Sequence, residues 1–156
     1  MLEVQVGKSQ NDFTEVILPA ELAQAKMGFV TCLRHYEDHY GKDTIHSAKV
    51  LRCLAENDLL AGNINEAEKN LNKALYIYKK TKNSYYFIIL QVFADLYQAK
   101  AKIAHFQGND NQYRYFNKMV YSYLDESLKS AKQILPINSP NILKLQKKLK
   151  AVEIHQ

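Results

Sequence analysis

Tryptophan is absent from this 156-residue sequence, proline occurs three times, glycine five times and cysteine twice. Glycine and proline punctuate chains, so their scarcity points to long helices and few loops. The glycines also leave none for a phosphate-cradling loop. Cys32 and Cys53, the two cysteines, each sit inside an apolar helical pattern. They read as buried reduced thiols, which fits a reducing compartment. No apolar run approaches the roughly 18 residues of a membrane span. The start of the chain has no charged segment followed by a continuous apolar stretch, so no signal peptide is expected. The expectation is a cytoplasmic protein with no membrane span.

Apolar residues make up 47% of the chain, which favours a globular protein over a disordered one. A single domain of this length buries about 68–70% of its unfolded surface and needs neither a metal nor a disulfide to hold it. The formal net charge is +5. Such a balance is compatible with nucleic acid, an anionic membrane or an acidic partner. Most lysines are spread along helix faces; only Lys144 to Lys150, with four lysines, is a concentrated patch, and a solvated helix face is the plain explanation for it.

Residues 1–18 differ from the rest. Leu2, Val4 and Val6 alternate with Glu3 and Gln5, the period of a strand, and a polar stretch separates them from Phe13, Val16, Ile17 and Leu18. The segment is read as an extended N-terminal arm, with a small hairpin or partial disorder as alternatives. Its apolar residues need cover from the helices or from a second subunit.

Residues 19–156 read as helical. Pro19 suits a first turn, where its missing N–H costs nothing. From Glu21 to about Tyr40, Leu22, Ala25, Met27, Phe29, Val30, Leu33 and Tyr36 keep a helical spacing, and Gly41 is a stop. Thr44, with Asp43 as a competitor, caps a second helix running to about Ala61. Gly62-Asn63 breaks it, and Asn63 or Asn65 caps a third helix that fades at Lys79 to Asn83. A fourth is expected over about Ser84–Gln107, with Ile89, Val92, Phe93, Leu96, Ala99, Ile103 and Phe106 inward. A fifth, about Asn111–Leu135, turns Tyr115, Met119, Tyr123, Leu124, Leu128, Ala131 and Leu135 inward before Pro136 stops it. Ser139-Pro140 opens a sixth, whose single stripe of Ile142, Leu145, Leu149 and Val152 suits a terminal capping helix. Short turns make such helices adjacent and antiparallel.

Residues 44–81 resemble a tetratricopeptide repeat, the helix-turn-helix unit of stacked solenoids. Small residues stand where its two helices would cross closely: Ala55 on the first, Ala67 and Ala74 on the second. The lead-in Asp43 and His46, then Arg52, Cys53, the Gly62 turn, Glu66-Ala67-Glu68 and Lys73-Ala74-Leu75, are most similar to the longer-period, kinesin-light-chain-like repeats. Departures from that pattern are Leu51 for a bulky aromatic, Asp58 for a tyrosine, and Arg52 and Cys53 for two asparagines. The next unit, Ser84 to Leu135, has longer helices than the repeat and places Lys100 or Ala101 where leucine and a small residue belong.

The resemblance implies an all-α superhelix of about six helices in antiparallel hairpins, binding a peptide or protein partner in a groove lined by the first helix of each pair. Mapped onto this chain, that groove is Lys49, Arg52, Cys53, Glu56 and Leu60, followed by Gln98, Lys102 and His105. The family's asparagine-lysine clamp for a terminal carboxylate is not reproduced. Arg52 has the geometry to hold a carboxylate bidentately, and the plain alternative is an ordinary solvated arginine.

Other constellations are weaker. His35 and His39 share a helix face near Glu37, Asp38 and His46, but zinc needs a third converging ligand, so a solvated helix end is expected. Of eleven tyrosines, nine lie between Tyr76 and Tyr123. They are expected to pack between helices with hydroxyls at the rim, with an aromatic recognition surface or base stacking as alternatives. No nucleophile–base arrangement stands out, and the carboxylate pairs Glu37-Asp38 and Asp125-Glu126 are sequence neighbours that do not share a helix face. The expected function is a protein-interaction adaptor or scaffold with no enzymatic activity, no cofactor and no metal. A homodimer would lengthen what is a short solenoid. The alternatives are a nucleic-acid-binding helical protein using its basic surface, and a bacterial secretion chaperone or effector built on the same repeat.

Overall fold

Helix boundaries in the computed structural model, which describes residues 19–154, follow from capping chemistry. The helices are α1 (Pro19–Tyr40), α2 (Ile45–Leu60), α3 (Ile64–Lys80), α4 (Phe87–Phe106), α5 (Asp110–Lys132) and α6 (Pro140–Ile154), with a short 3-10 turn, Ser84–Tyr86, leading into α4. No strand occurs among the described residues. Thr44 caps α2 by accepting from the Ser47 N–H at 3.3 Å, and Asn109 caps α5 by accepting from the Gln112 N–H at 3.1 Å. Ser139 accepts from Ile142 at the start of α6.

Three helix ends share one device, in which the N–H groups of two residues past the helix bond back to its last turn. After α2, Gly62 and Asn63 donate to the carbonyls of Leu59 and Asp58. After α4, Gly108 and Asn109 donate to His105 and Ala104. After α3, the same bonds run from Lys82 and Asn83 to Lys79 and Tyr78. The pivot residue must adopt positive φ: Gly62 and Gly108 do so at 81° and 70°, while Lys82 does so at 50° with a side chain to accommodate.

Each helix packs on its neighbours in sequence, and α2 also touches α4. Side-chain pairings show that the pairs run antiparallel. Lys26 of α1 meets Asp58 of α2, Asn70 of α3 also meets Asp58, and Phe87 and His105 at the two ends of α4 meet Ser127 and Tyr113 of α5. Two cores result, with α4 as their shared wall. The first joins Ala48, Leu51, Leu54 and Ala55 of α2 to Leu71, Ala74 and Ile77 of α3 and to Ile89, Val92, Phe93 and Leu96 of α4. Ala55, Ala67 and Ala74, expected at the close crossing, are all fully buried. The second core joins Phe87 and Ala94 of α4 to Val120, Leu124, Leu128 and Ala131 of α5 and to Ile142, Leu145 and Leu149 of α6.

Five residues expected on buried faces need correction. Ile103 and Phe106 are exposed, Phe106 at 89%, and the buried side of the end of α4 is instead Ala101 and Ala104. The cause is length. Lys100 already meets Glu68, about one turn from the start of α3, so the face that packs on α2 and α3 outruns both partners while α5 continues alongside. Met27 is 72% exposed and Val30 is exposed, because among the described residues α1 packs on α2 alone. Tyr115 points outward near the start of α5. The expected N-terminal arm, residues 1–18, lies outside the described residues. No described helix is long and apolar enough to cross a membrane.

Candidate partner-binding site

The sequence-derived groove falls on two separate surfaces. On α2, Lys49, Arg52, Cys53, Glu56 and Leu60 recur at helical spacing on the side turned away from the core. Lys49 and Leu60 are exposed, and the other three are half-buried. Arg52 is already engaged: its Nη1 donates to both carboxylate oxygens of Glu56 at 2.9 Å. An i,i+4 pair of this kind contributes about 0.3–0.5 kcal/mol and occupies the guanidinium that an incoming carboxylate would need. Burial pushes the Cys53 thiol above its ordinary value, with the neighbouring Arg52 partly offsetting it, so this thiol is kept in its unreactive form. Cys32 and Cys53 are both free and half-buried, more exposed than expected.

The other surface is a cavity of about 420 Å³ between α4, α5 and α6. Its floor is apolar: Ala94, Ala101, Val120, Leu124, Ala151 and Val152. Its rim is polar: Asp95, Gln98, Lys102, Tyr113, Asn117 and Lys148. Gln98 and Lys102 are therefore the two expected residues that the structure brings into one concavity. His105 lies one turn further along α4, its ring 5.2 Å from that of Tyr113. The hollow exists because the facing residues are short. Ala94 and Ala101 on α4 and Ala151 on α6 leave a gap where larger side chains would close the core.

Electrostatics at the rim are uneven. Lys148 Nζ stands 3.7 Å from Asp95. Burial raises the Asp95 carboxyl above the usual aspartate value, and the charges of Lys148 and then Lys144 pull it back. Lys102 has no ion-pair partner among the described residues. An apolar hollow with a few convergent polar groups is the usual form of a recognition site, and its size lies within the roughly 300–1,000 Å³ of ligand pockets.

The remaining constellations have structural roles. The His35 and His39 rings lie 4.1 Å apart, tilted by 37°, and His39 Nδ1 donates to the His35 carbonyl at 2.9 Å. No group of three metal-ligating side chains converges among the described residues. Tyr123 stacks on Phe93 and Tyr97 between α4 and α5, and the Tyr86 hydroxyl pairs with Ser130 at 2.7 Å. Tyr76, Tyr85 and Tyr115 are exposed, and Tyr113 alone of the tyrosines lines the cavity. Asp58, which stands where the repeat pattern has tyrosine, is fully buried and holds three helices together: it accepts from Lys26 at 2.7 Å and from Asn70 at 3.2 Å. Asn57 beside it donates to the Leu22 carbonyl.

Sequence reasoning did not find Asp95, Tyr113, Asn117 or Lys148. Asp95 was within reach, three residues before Gln98 and thus on the same face of α4. The others depend on how α5 and α6 close on α4, which no local pattern specifies. No family model matches this chain, and no curated protein matches it at a significant level.

Proposed function

We propose that this protein is a tetratricopeptide-like adaptor that binds a protein or peptide partner, with no catalytic step of its own. The observation that supports the reading is the cavity between α4, α5 and α6, whose polar, partly unpaired rim stands over an apolar floor in an array of helical hairpins. Stacked antiparallel pairs in which alternate helices also touch, as α2 and α4 do, are the packing of helical-repeat scaffolds, and such scaffolds bind along an extended face. The strip Lys49, Arg52, Cys53, Glu56 and Leu60 is a separate, secondary contact on α2, because Arg52 must first release Glu56.

A second reading has its own observation: Lys144, Lys147 and Lys150 are exposed on α6, on a chain of net charge +5. That surface would bind nucleic acid through phosphate contacts with a steep dependence on salt. Affinity capture from lysate with the wild type, Lys102→Glu and Arg52→Glu separates the two, once circular dichroism shows that all three are folded. The adaptor reading expects a protein retained by the wild type, lost with Lys102→Glu and largely kept with Arg52→Glu. Recovery of nucleic acid alone, released by moderate salt, would overturn it.

A further inference from the structure

We propose that the α4–α5–α6 cavity recognises an acidic amphipathic segment of a partner protein: one bulky apolar side chain enters the hollow, and carboxylates beside it are held by Lys102 and Lys148. This rests on the adaptor reading above and adds the chemistry of the occupant.

The floor dictates the apolar half. Val120, Leu124, Ala94 and Ala101 are nearly completely buried beneath the hollow, and Ala151 and Val152 at its side keep accessible apolar surface with no hydrogen-bonding group. A small anion alone would leave that surface uncovered, whereas a leucine, methionine or aromatic side chain would cover it. Burying one such side chain is worth about 1.5–3 kcal/mol. Interfaces are commonly anchored by one large apolar group in a desolvated pocket.

The rim dictates the charged half. Lys102 and Lys148 line the rim with a single carboxylate, Asp95, and Lys144 adds its charge near that carboxylate. Lys102 is unpaired among the described residues, and the Lys148–Asp95 contact is long and about half-exposed, so it holds Lys148 weakly. A basic segment would meet these ammonium groups with only Asp95 to receive it. An acidic segment gains charge-assisted hydrogen bonds to Lys102 and Lys148. Gln98, Asn117 and the Tyr113 hydroxyl remain at the rim for backbone groups of the same segment.

The test is selection of a displayed random-peptide library on the full chain, followed by affinity measurement of the enriched peptides on three variants. Ala151→Phe fills the hollow from an exposed position on α6; Lys102→Glu and Lys148→Glu reverse the rim. The expected peptides share a bulky apolar residue with Asp or Glu within a turn of it. Each variant is expected to weaken them by about tenfold or more, with circular dichroism unchanged. Enriched peptides that bind Ala151→Phe as well as the wild type, or that carry no carboxylate, would overturn this inference and leave the adaptor reading standing. Enrichment of no peptide would overturn both. Binding of a single-stranded RNA oligomer that Lys102→Glu abolishes and Ala151→Phe leaves intact would assign these lysines to nucleic acid instead.

Discussion

The two halves of this protein solve packing in opposite ways. The first, α1 to α3 with the start of α4, is closed. Alanines at 48, 55, 67 and 74 bring its helices into contact, and the buried Asp58 satisfies its charge against Lys26 and Asn70. The second, α4 to α6, is sealed at one end by Phe87, Leu128 and the Ser127 hydroxyl donating to the Phe87 carbonyl, and is left open at the other over Ala94, Ala101 and Ala151. The half that carries the repeat-like residues is the filled one. The half that departs from the pattern carries the hollow. The repeat-like residues and the hollow therefore sit in different places: small residues create close crossings where a helix faces them, and create a cavity where none does.

The largest expected effect tests the closed half. Asp58→Ala leaves the Asn70 amide without its acceptor and frees Lys26, which is 39% exposed and can be hydrated, so the loss is about 1–3 kcal/mol. Urea unfolding should show a loss of this size for Asp58→Ala and less than about 0.5 kcal/mol for Lys102→Glu, since exposed positions without such features tolerate change. Equal losses would erase the distinction between a staple and a rim.

The helix ends give the next effect. Gly62→Ala places a methyl group at positive φ and should cost about 1–2 kcal/mol. Lys82→Gly should change stability in the other direction by up to about 1 kcal/mol, because the same turn is already built on a lysine at φ 50°. Thermal or urea unfolding of the two single variants checks both signs.

The smallest effect belongs to the open half. The Asp95 carboxyl is raised in the folded state, so the folded chain binds a proton there more readily than the unfolded one does. That contribution makes stability fall as pH rises through the interval from the ordinary aspartate value up to the raised one. Asp95→Asn removes the slope. Urea midpoints measured from about pH 4 upward should fall less, or rise more, with pH for the variant than for the wild type, and an unchanged profile would mean that burial does not raise the Asp95 carboxyl.

Much of the fold was legible in the sequence because its signals are local. Thr44, Gly62 and Ser139-Pro140 mark helix ends through bonds to residues two to four positions away, and periodicity placed Ile89, Leu96, Leu124 and Ile142 in the core. Ile103 and Phe106 were misplaced because their period is right but the helices they would pack on end too early. The site was legible only on α4, where Gln98 and Lys102 follow from helical spacing. Tyr113, Asn117 and Lys148 reach it through the crossing of α5 and α6, a property of three helices at once. Arg52 shows the converse: its chemistry suits a carboxylate, and the nearest one, Glu56, is four residues away on the same helix.

The most direct test of the central claim is a methyl chemical-shift map of the full chain on addition of a peptide enriched by display. The account predicts shifts confined to Ala94, Ala101, Val120, Leu124, Ala151 and Val152, with Leu54, Leu60 and Leu71 unmoved. Shifts centred on Leu54 and Leu60 of α2, with the α4–α5–α6 methyl groups silent, would contradict it.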